Sequence, residues 1–447
     1  MTQDTPRSRP ALVPQSRLAR AGRMGAMAAG VATNMAVGGL RSLGTGARPD
    51  PRELLLTPTN LRRVANTLAQ MRGAAMKMGQ LISMDTGDTL PPELADILAR
   101  LRADADFMPP KQLRTVLNDA WGTGWHTRFK RFDVRPIAAA SIGQVHQAWL
   151  RDGTHLAIKV QYPGISRSID SDVSNLGRLL RLSGLLPKGF DLDPYLDEVR
   201  AQLHEEADYV AEAAHLERFA RLLDGSQDFV LPRFHPALSS ETVLAMSYVP
   251  SDPIESLGQA DTDIRNRAVS RLIALMLREL FEFGVMQTDP NFANYRVAPD
   301  TGSIVLLDFG ATRELPAWLA PACRDLIRAG MCGDRDAVAQ QLDHMGLVPA
   351  TTPAQFKGPI LGMVELVFDT LRQNSTLDLE MSDLPARLQA QGEALARAGF
   401  VPTEPVPLDL LFVQRKVAGM FLLAARLGAS VPVHDLLAPH LDTPEAA

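Results

Sequence analysis

A chain of 447 residues with 46% hydrophobic and 22% charged side chains has the apolar content for two or three compact units. Its net charge of −5 is unevenly spread: residues 1–50 carry seven Arg, no Lys and two Asp, so a basic head precedes an acidic body. An acidic body excludes a general nucleic-acid binder, which needs a basic face. The two cysteines, Cys323 and Cys332, lack His or Cys at ligand spacing and so exclude a disulfide framework and a zinc site.

The head, residues 1–50, has no aromatic residue and ends in the turn-rich GTGARPDP. Its Met24–Leu40 stretch is rich in Gly and Ala but interrupted by Thr33 and Asn34. It falls short of the unbroken apolar run a spanning helix needs, and we read the head as flexible or membrane-facing. Residues 51–125 read as a helical extension. Leu61, Val64, Leu68, Met71, Ala75, Met78 and Ile82 repeat at helical spacing behind Thr59 or Asn60 as a cap. Lys77 and Gln80 share a face of that helix, and Gly79 allows a close backbone approach nearby. Further helix is expected over Pro92–Arg102 and Lys111–Trp121.

Residues 126–250 change period. FDVRPI, QVHQAWL and HLAIKV predict three antiparallel strands, with Arg151-Asp152-Gly153 turning between the last two. Ala138, Ala139, Ala140, Ser141 and Gly143 lie in the tight connection between the first two. One long helix is predicted from Pro194 to Leu223, followed by strands at DFVLP and ETVLAMSYV. Residues 251–447 read as mostly helical, broken from Gln287 to Gly310 by two short strands and a loop. His146, alternating with apolar residues in its strand, reads as packing. The Met residues at 71, 76, 78 and 84 read as adaptable core.

Phosphoryl transfer from ATP asks a protein for a Lys on the phosphates, a Glu to hold it, and Asp and Asn ligands for Mg²⁺. Lys159 closes the strand L-A-I-K, and Glu212 on the following helix is its expected partner. Asp289 and Asn294, in Q-T-D-P-N-F-A-N, have the Asp-to-Asn interval of a kinase catalytic loop. Asp308-Phe309-Gly310 follows an apolar strand. We therefore expect Asp289 to orient or deprotonate the acceptor and Asn294 with Asp308 to hold Mg²⁺. Adenine is expected near Met246, Ser247, Tyr248 and Val249. Three departures stand beside this agreement: an Ala-rich stretch replaces a Gly-rich loop, Gln287 replaces the loop His, and no A-P-E segment follows D-F-G.

M-K-M-G-Q at 76–80, A-A-A-S at 138–141, L-A-I-K-V-Q at 156–161, E-A-D-Y-V-A-E at 206–212, Q-T-D-P-N-F-A-N at 287–294 and L-L-D-F-G-A-T-R-E at 306–314 together resemble the UbiB family of atypical kinases, in its ADCK branch. The resemblance covers about residues 52–430. It implies an α+β, protein-kinase-like two-lobed fold with an N-terminal K-x-G-Q extension. It also implies that Lys77, Gly79 and Gln80 occlude the active site, with Glu206 and Asp208 meeting Lys77. Helical periodicity agrees by half, since residues two apart lie about 200° round a helix from each other; either the helix is irregular there or Glu206 reaches Lys77 from its side.

The function implied is an ATP- and Mg²⁺-dependent atypical kinase or ATPase in ubiquinone biosynthesis. Its expected partners are membrane lipids or quinone intermediates and enzymes of that pathway, with no nucleic acid. The alternatives are a nucleotide-holding lipid scaffold and an ordinary protein kinase. Ala- and Arg-rich usage points to a bacterial chain, cytoplasmic and peripheral to a membrane; in a eukaryotic chain the Arg-rich head would be a mitochondrial transit peptide.

Overall fold

The computed structural model describes residues 73–74, 77–78, 107–140, 142–182, 192–378, 382–400, 404 and 406–441. The expected basic head, most of the K-x-G-Q extension, Gly79, Gln80 and Ser141 lie outside them. The described residues fall into two compact units. One takes the chain up to Ala214 plus Arg233–Tyr248; the other takes His215–Pro232 and everything from Val249.

The first unit is built on an antiparallel sheet. Helix α1 (Pro110–Trp121) starts with Pro at its first position, where the missing N–H costs nothing, and buries Leu113, Val116 and Leu117. It leads to β1 (Phe129–Phe132), β2 (Gly143–Leu150) and β3 (His155–Gln161). β2 and β3 form the predicted hairpin, its turn fixed by Thr154 N donating to Asp152 Oδ1 at 2.9 Å. The first predicted strand is displaced: it occupies Phe129–Phe132, and Val134–Pro136 leave the ladder, while Asp133 N and Ile137 N still donate to Gln147 O and Val145 O of β2. Pro136 has no N–H to contribute to a ladder, and regular pairing with β2 resumes at Ala138–Ala139.

The second departure lies in the predicted long helix. After α2 (Ile169–Leu182), the 194–223 segment forms two helices, α3 (Asp193–Glu206) and α4 (Tyr209–Leu222). Asp208 breaks it, because its Oδ1 accepts from Val210 N at 3.1 Å and Ala211 N at 2.9 Å, capping α4 in place of continuing α3. β4 (Val243–Ser247) then completes the sheet in the order β1-β2-β3-β4. Leu156, Ile158, Val160, Val243 and Ala245 are fully buried in its core. Burial of each large aliphatic side chain stabilises the fold by about 2 kcal/mol.

In the second unit, α5 (Thr262–Arg278) runs into one π-helical turn, Glu279–Phe283. Four three-residue strands follow: β5 (Val285–Gln287), β6 (Tyr295–Val297), β7 (Ile304–Leu306) and β8 (Thr312–Glu314). β5 pairs with β8 and β6 with β7, both antiparallel, and Phe229–Val230 adds to β7 in parallel. The remainder is helical: α6 (Leu319–Cys332), α7 (Arg335–His344), α8 (Ala354–Gln373), α9 (Leu384–Arg397), α10 (Leu408–Leu427) and α11 (Val433–Leu441). No described helix is long and apolar enough to cross a membrane.

Candidate active site

Lys159 lies on β3 opposite Val145 of β2 and Leu244 of β4, so it is central in the sheet. The residue is 7% exposed, and Nζ donates to both carboxylate oxygens of Glu212 at 2.8 Å. Glu212, 2% exposed, sits in the first turn of α4, which the Asp208 cap sets in place. The Tyr209 ring lies beneath the ammonium, 5.1 Å from Nζ. A buried charge is tolerable only when paired with good geometry, and this pair is bidentate.

Lys77 is helical, 1% exposed, and donates to Glu206 Oε1 at 2.5 Å. The expectation that both Glu206 and Asp208 meet Lys77 is corrected: Asp208 is exposed and spends its carboxylate on the cap of α4. The helix break answers the periodicity conflict, since Glu206 ends one helix and Asp208 precedes the next. Gly79 and Gln80 lie outside the described residues.

The Ala-rich stretch is sheet, with Ala138 opposite Val145 and Ala139 opposite Gln144. Ala140 N donates to Gly143 O at 2.8 Å, closing a tight turn. Gly143 allows that closure: a Cβ there would lie 2.5 Å from Val160 O and 2.8 Å from the Tyr209 hydroxyl. Behind it, a buried relay runs from Met108 N to Gln144 Oε1 (2.7 Å), from Gln144 Nε2 to His146 Nε2 (2.8 Å), and from His146 Nδ1 to Asp133 O (2.8 Å). Burial pushes the His146 imidazole down to about 4, so it is neutral and structural, as its alternating pattern implied. Met246 is buried on β4. Ser247 N donates to Arg233 O at 2.8 Å and Tyr248 N to His155 O at 2.9 Å, so those two N–H groups are held within the unit.

In the second unit, the antiparallel pairing of Tyr295 with Leu306 brings Asn294 beside Leu307, whose N–H donates to Asn294 O at 3.2 Å. Asn294 and Asp308 line one narrow cavity. Asn294 Nδ2 donates to Asp289 O at 3.3 Å, which leaves its amide oxygen as the group it presents. Asp308 Oδ1 accepts from Gly310 N at 3.0 Å, and Asp289 Oδ1 from Asn291 N at 3.3 Å. Phe309 is buried, with its ring 4.9 Å from that of Phe219 on α4. Among the described residues, no group of three His, Cys, Asp or Glu is placed to hold a metal by itself. One carboxylate with one amide oxygen still suits Mg²⁺, which takes few protein oxygens and completes its shell with phosphate and water. Gln287, the residue replacing the loop His, is 5% exposed and bonded to Lys416, a contact across 129 residues that the sequence reading missed. Its trace in the sequence was a lysine whose helical neighbours at three and four residues, Phe412, Val413, Gly419 and Met420, carry no charge.

An antiparallel sheet carrying a buried Lys–Glu pair, with an Asp-to-Asn loop and a D-F-G strand end, defines a kinase-like protein. Residues 100–342 match the ABC1 atypical kinase-like domain. The chain is 35% identical to the mitochondrial atypical kinase COQ8 of Saccharomyces cerevisiae, over 94% of this chain and 83% of that one. It is 35% identical to mitochondrial COQ8B of Rattus norvegicus, over 96% and 81%, and 34% identical to mitochondrial coq-8 of Caenorhabditis elegans, over 95% of this chain but 57% of the relative. Among solved structures, the Rv3197–erythromycin complex from Mycobacterium tuberculosis matches with a TM-score of 0.59 at 25% identity, covering 84% of this chain and 95% of that one. The chain belongs to the ABC1 family of atypical kinases, with the kinase-like α+β fold.

Proposed function

We propose that this protein is an ATP- and Mg²⁺-dependent atypical kinase or ATPase that supports coenzyme Q biosynthesis, acting on or near membrane lipids or quinone intermediates. The observation that carries the reading is the buried, bidentate Lys159–Glu212 pair. An ammonium this well held is suited to polyphosphate, because its direction is set before the ligand arrives. In this reading Lys159 takes the nucleotide phosphates and Glu212 aims it. Asn294 and Asp308 hold Mg²⁺, which neutralises charge on the transferring group. Asp289 orients or deprotonates the acceptor, with water as one candidate. Ala138, Ala139, Ala140, Ser141 and Gly143 cover the phosphates, and Met246–Val249 receive adenine. The pathway follows from relatives named COQ8, and action at a membrane surface from the basic head.

A protein substrate is disfavoured by two features. The buried Lys77–Glu206 bond ties the K-x-G-Q element to α3, and α6 begins at Leu319, nine residues past Gly310, leaving no room for a substrate platform. The placement proposed is peripheral to a membrane, in the mitochondrion for a eukaryotic chain and at the cytoplasmic face for a bacterial one. Enzymes of the same pathway are the proposed partners.

The test is phosphate release from Mg·ATP by the full chain, with and without anionic vesicles and a ubiquinone-like phenol, for wild type and Asp308→Asn. Turnover that rises with vesicles and is lost in the variant is the expected result. Nucleotide binding without turnover under any condition would replace this reading with the lipid scaffold.

A further inference from the structure

Helix α10 lies outside the matched residues 100–342, yet it touches the Asp289–Asn294 loop at two points. Lys416 is 2% exposed, and its three N–H bonds are all accounted for: Gln287 O at 2.8 Å, Gln287 Oε1 at 3.1 Å and the Tyr295 hydroxyl at 2.9 Å. Gln287 stands two residues before Asp289 and Tyr295 one residue after Asn294, so one ammonium holds both ends of the loop. Glu279, 1% exposed, supplies the counter-charge at 3.5 Å. One helical turn on, Gly419 faces Pro290, the residue after Asp289. A Cβ there would lie 2.2 Å from Pro290 Cβ and 2.8 Å from its Cγ. Lys416 and Gly419 are three apart and share a face of α10. Gln287, Tyr295, Asn294, Asp308, Glu279 and Lys416 line the same cavity.

We infer that this face of α10 is a template for the catalytic loop, with Lys416 and Gly419 as positioning residues that set where Asp289 and Asn294 stand. The physical reason is local. A loop of eight peptide units between two three-residue strands has little ladder of its own to hold it. A buried ammonium with three acceptors and a side-chain-free contact on Pro290 replace that missing order. The inference rests on Asp289 and Asn294 working as proposed above.

Lys416→Met alone would leave Glu279 as an unpaired buried charge and destabilise the unit, so the informative variant is Lys416→Met with Glu279→Gln. Removing both members spares the penalty of an unpaired buried charge, so the double variant is more stable than Lys416→Met, but the Gln287 and Tyr295 oxygens lose their donor and the clamp is lost. If Lys416 served only as half of an ion pair, the double variant would behave as wild type. As a positioning residue, its loss lowers kcat for ATP turnover on the order of a hundredfold, because catalysis falls steeply with an ångström of misplacement. The KM for ATP then stays within about threefold, since phosphate binding through Lys159 is untouched.

The experiment measures thermal melting, turnover and backbone hydrogen exchange over residues 285–297 in the full chain. Wild type, Lys416→Met, the double variant and Gly419→Ala are compared, with Asp308→Asn as the control for turnover. Expected are a melting temperature in the double variant between those of wild type and Lys416→Met, faster exchange confined to the 285–297 segment, and the fall in kcat; Gly419→Ala gives the same faster exchange and lower kcat through displaced Pro290. Turnover in the double variant at the wild-type level overturns the inference. If wild type itself shows no turnover, the functional reading fails separately and exchange decides: faster loop exchange keeps the template, and unchanged exchange removes it.

Discussion

His146 offers a stability test with a definite pH window. In the unfolded chain its imidazole binds a proton near 6.5; folded, burial pushes that down to about 4, against a small opposing pull from the carbonyl of Asp133. Between those values the unfolded chain holds a proton that the folded one refuses, so acidification favours unfolding. Stability from this group is fully present above 6.5, declines below it, and stops declining once pH falls past the folded value near 4. Each pH unit of that interval costs about 1.4 kcal/mol, giving about 2 kcal/mol by pH 5 and about 3 kcal/mol in all. The cause is chemical: a protonated Nε2 cannot accept from Gln144 Nε2, and Gln144 also receives Met108 N, so the charge breaks a buried relay. The assay is urea unfolding by tryptophan fluorescence in a Trp318→Phe background, because Trp121, Trp125 and Trp149 all lie in the first unit. His146→Phe, placed beside Phe132 at a ring distance of 5.4 Å, cannot titrate. It should be less stable than wild type at neutral pH, by about 1–3 kcal/mol for the unsatisfied Gln144, and the difference should close on acidification. Parallel curves for wild type and variant from pH 7 to 4.5 would refute the reasoning.

Two further outcomes follow from the same unit. Lys159→Met takes the bidentate ammonium away from the buried Glu212 carboxylate, so it should cost about 3–5 kcal/mol in a denaturant titration, while Lys159→Met with Glu212→Gln regains most of that stability; neither should turn over ATP, and turnover in the double variant would disprove the role of Lys159. Gly143→Ala should cost about 1–3 kcal/mol by thermal or urea unfolding, because the added methyl meets the Val160 carbonyl at 2.5 Å and a paired strand backbone yields little. A neutral Gly143→Ala would show that the turn is looser than drawn.

What was legible in the sequence was local or carried by order along the chain. The β2–β3 hairpin follows from alternating apolar residues around an Asp-Gly turn. The Lys159–Glu212 pair follows from a strand Lys and a Glu in the predicted 194–223 helix, although α2 and α3 come between them, and the Asp289–Asn294 interval from its spacing. Elements that depend on a neighbour were less legible. Strands β6 and β8 are three residues each, too short for a periodic signal, and exist because β7 and β5 pair with them.

The division is sharpest at Asp208 and Lys416. Helical periodicity runs through residue 208 unbroken, because Asp is compatible with both a helix interior and a cap. Side-chain hydrogen bonds to Val210 and Ala211 decide between them, and with them which acid meets Lys77. Lys416 reads along the chain as the second of two adjacent basic residues in a helix, behind Arg415; its partners stand more than 120 residues earlier, and only folding brings their carbonyl, amide and hydroxyl oxygens around one ammonium. By itself the sequence determined which chemical groups are present and in what order. The tertiary structure decided which of them are desolvated together, because a buried charge must find its partners wherever in the chain they lie.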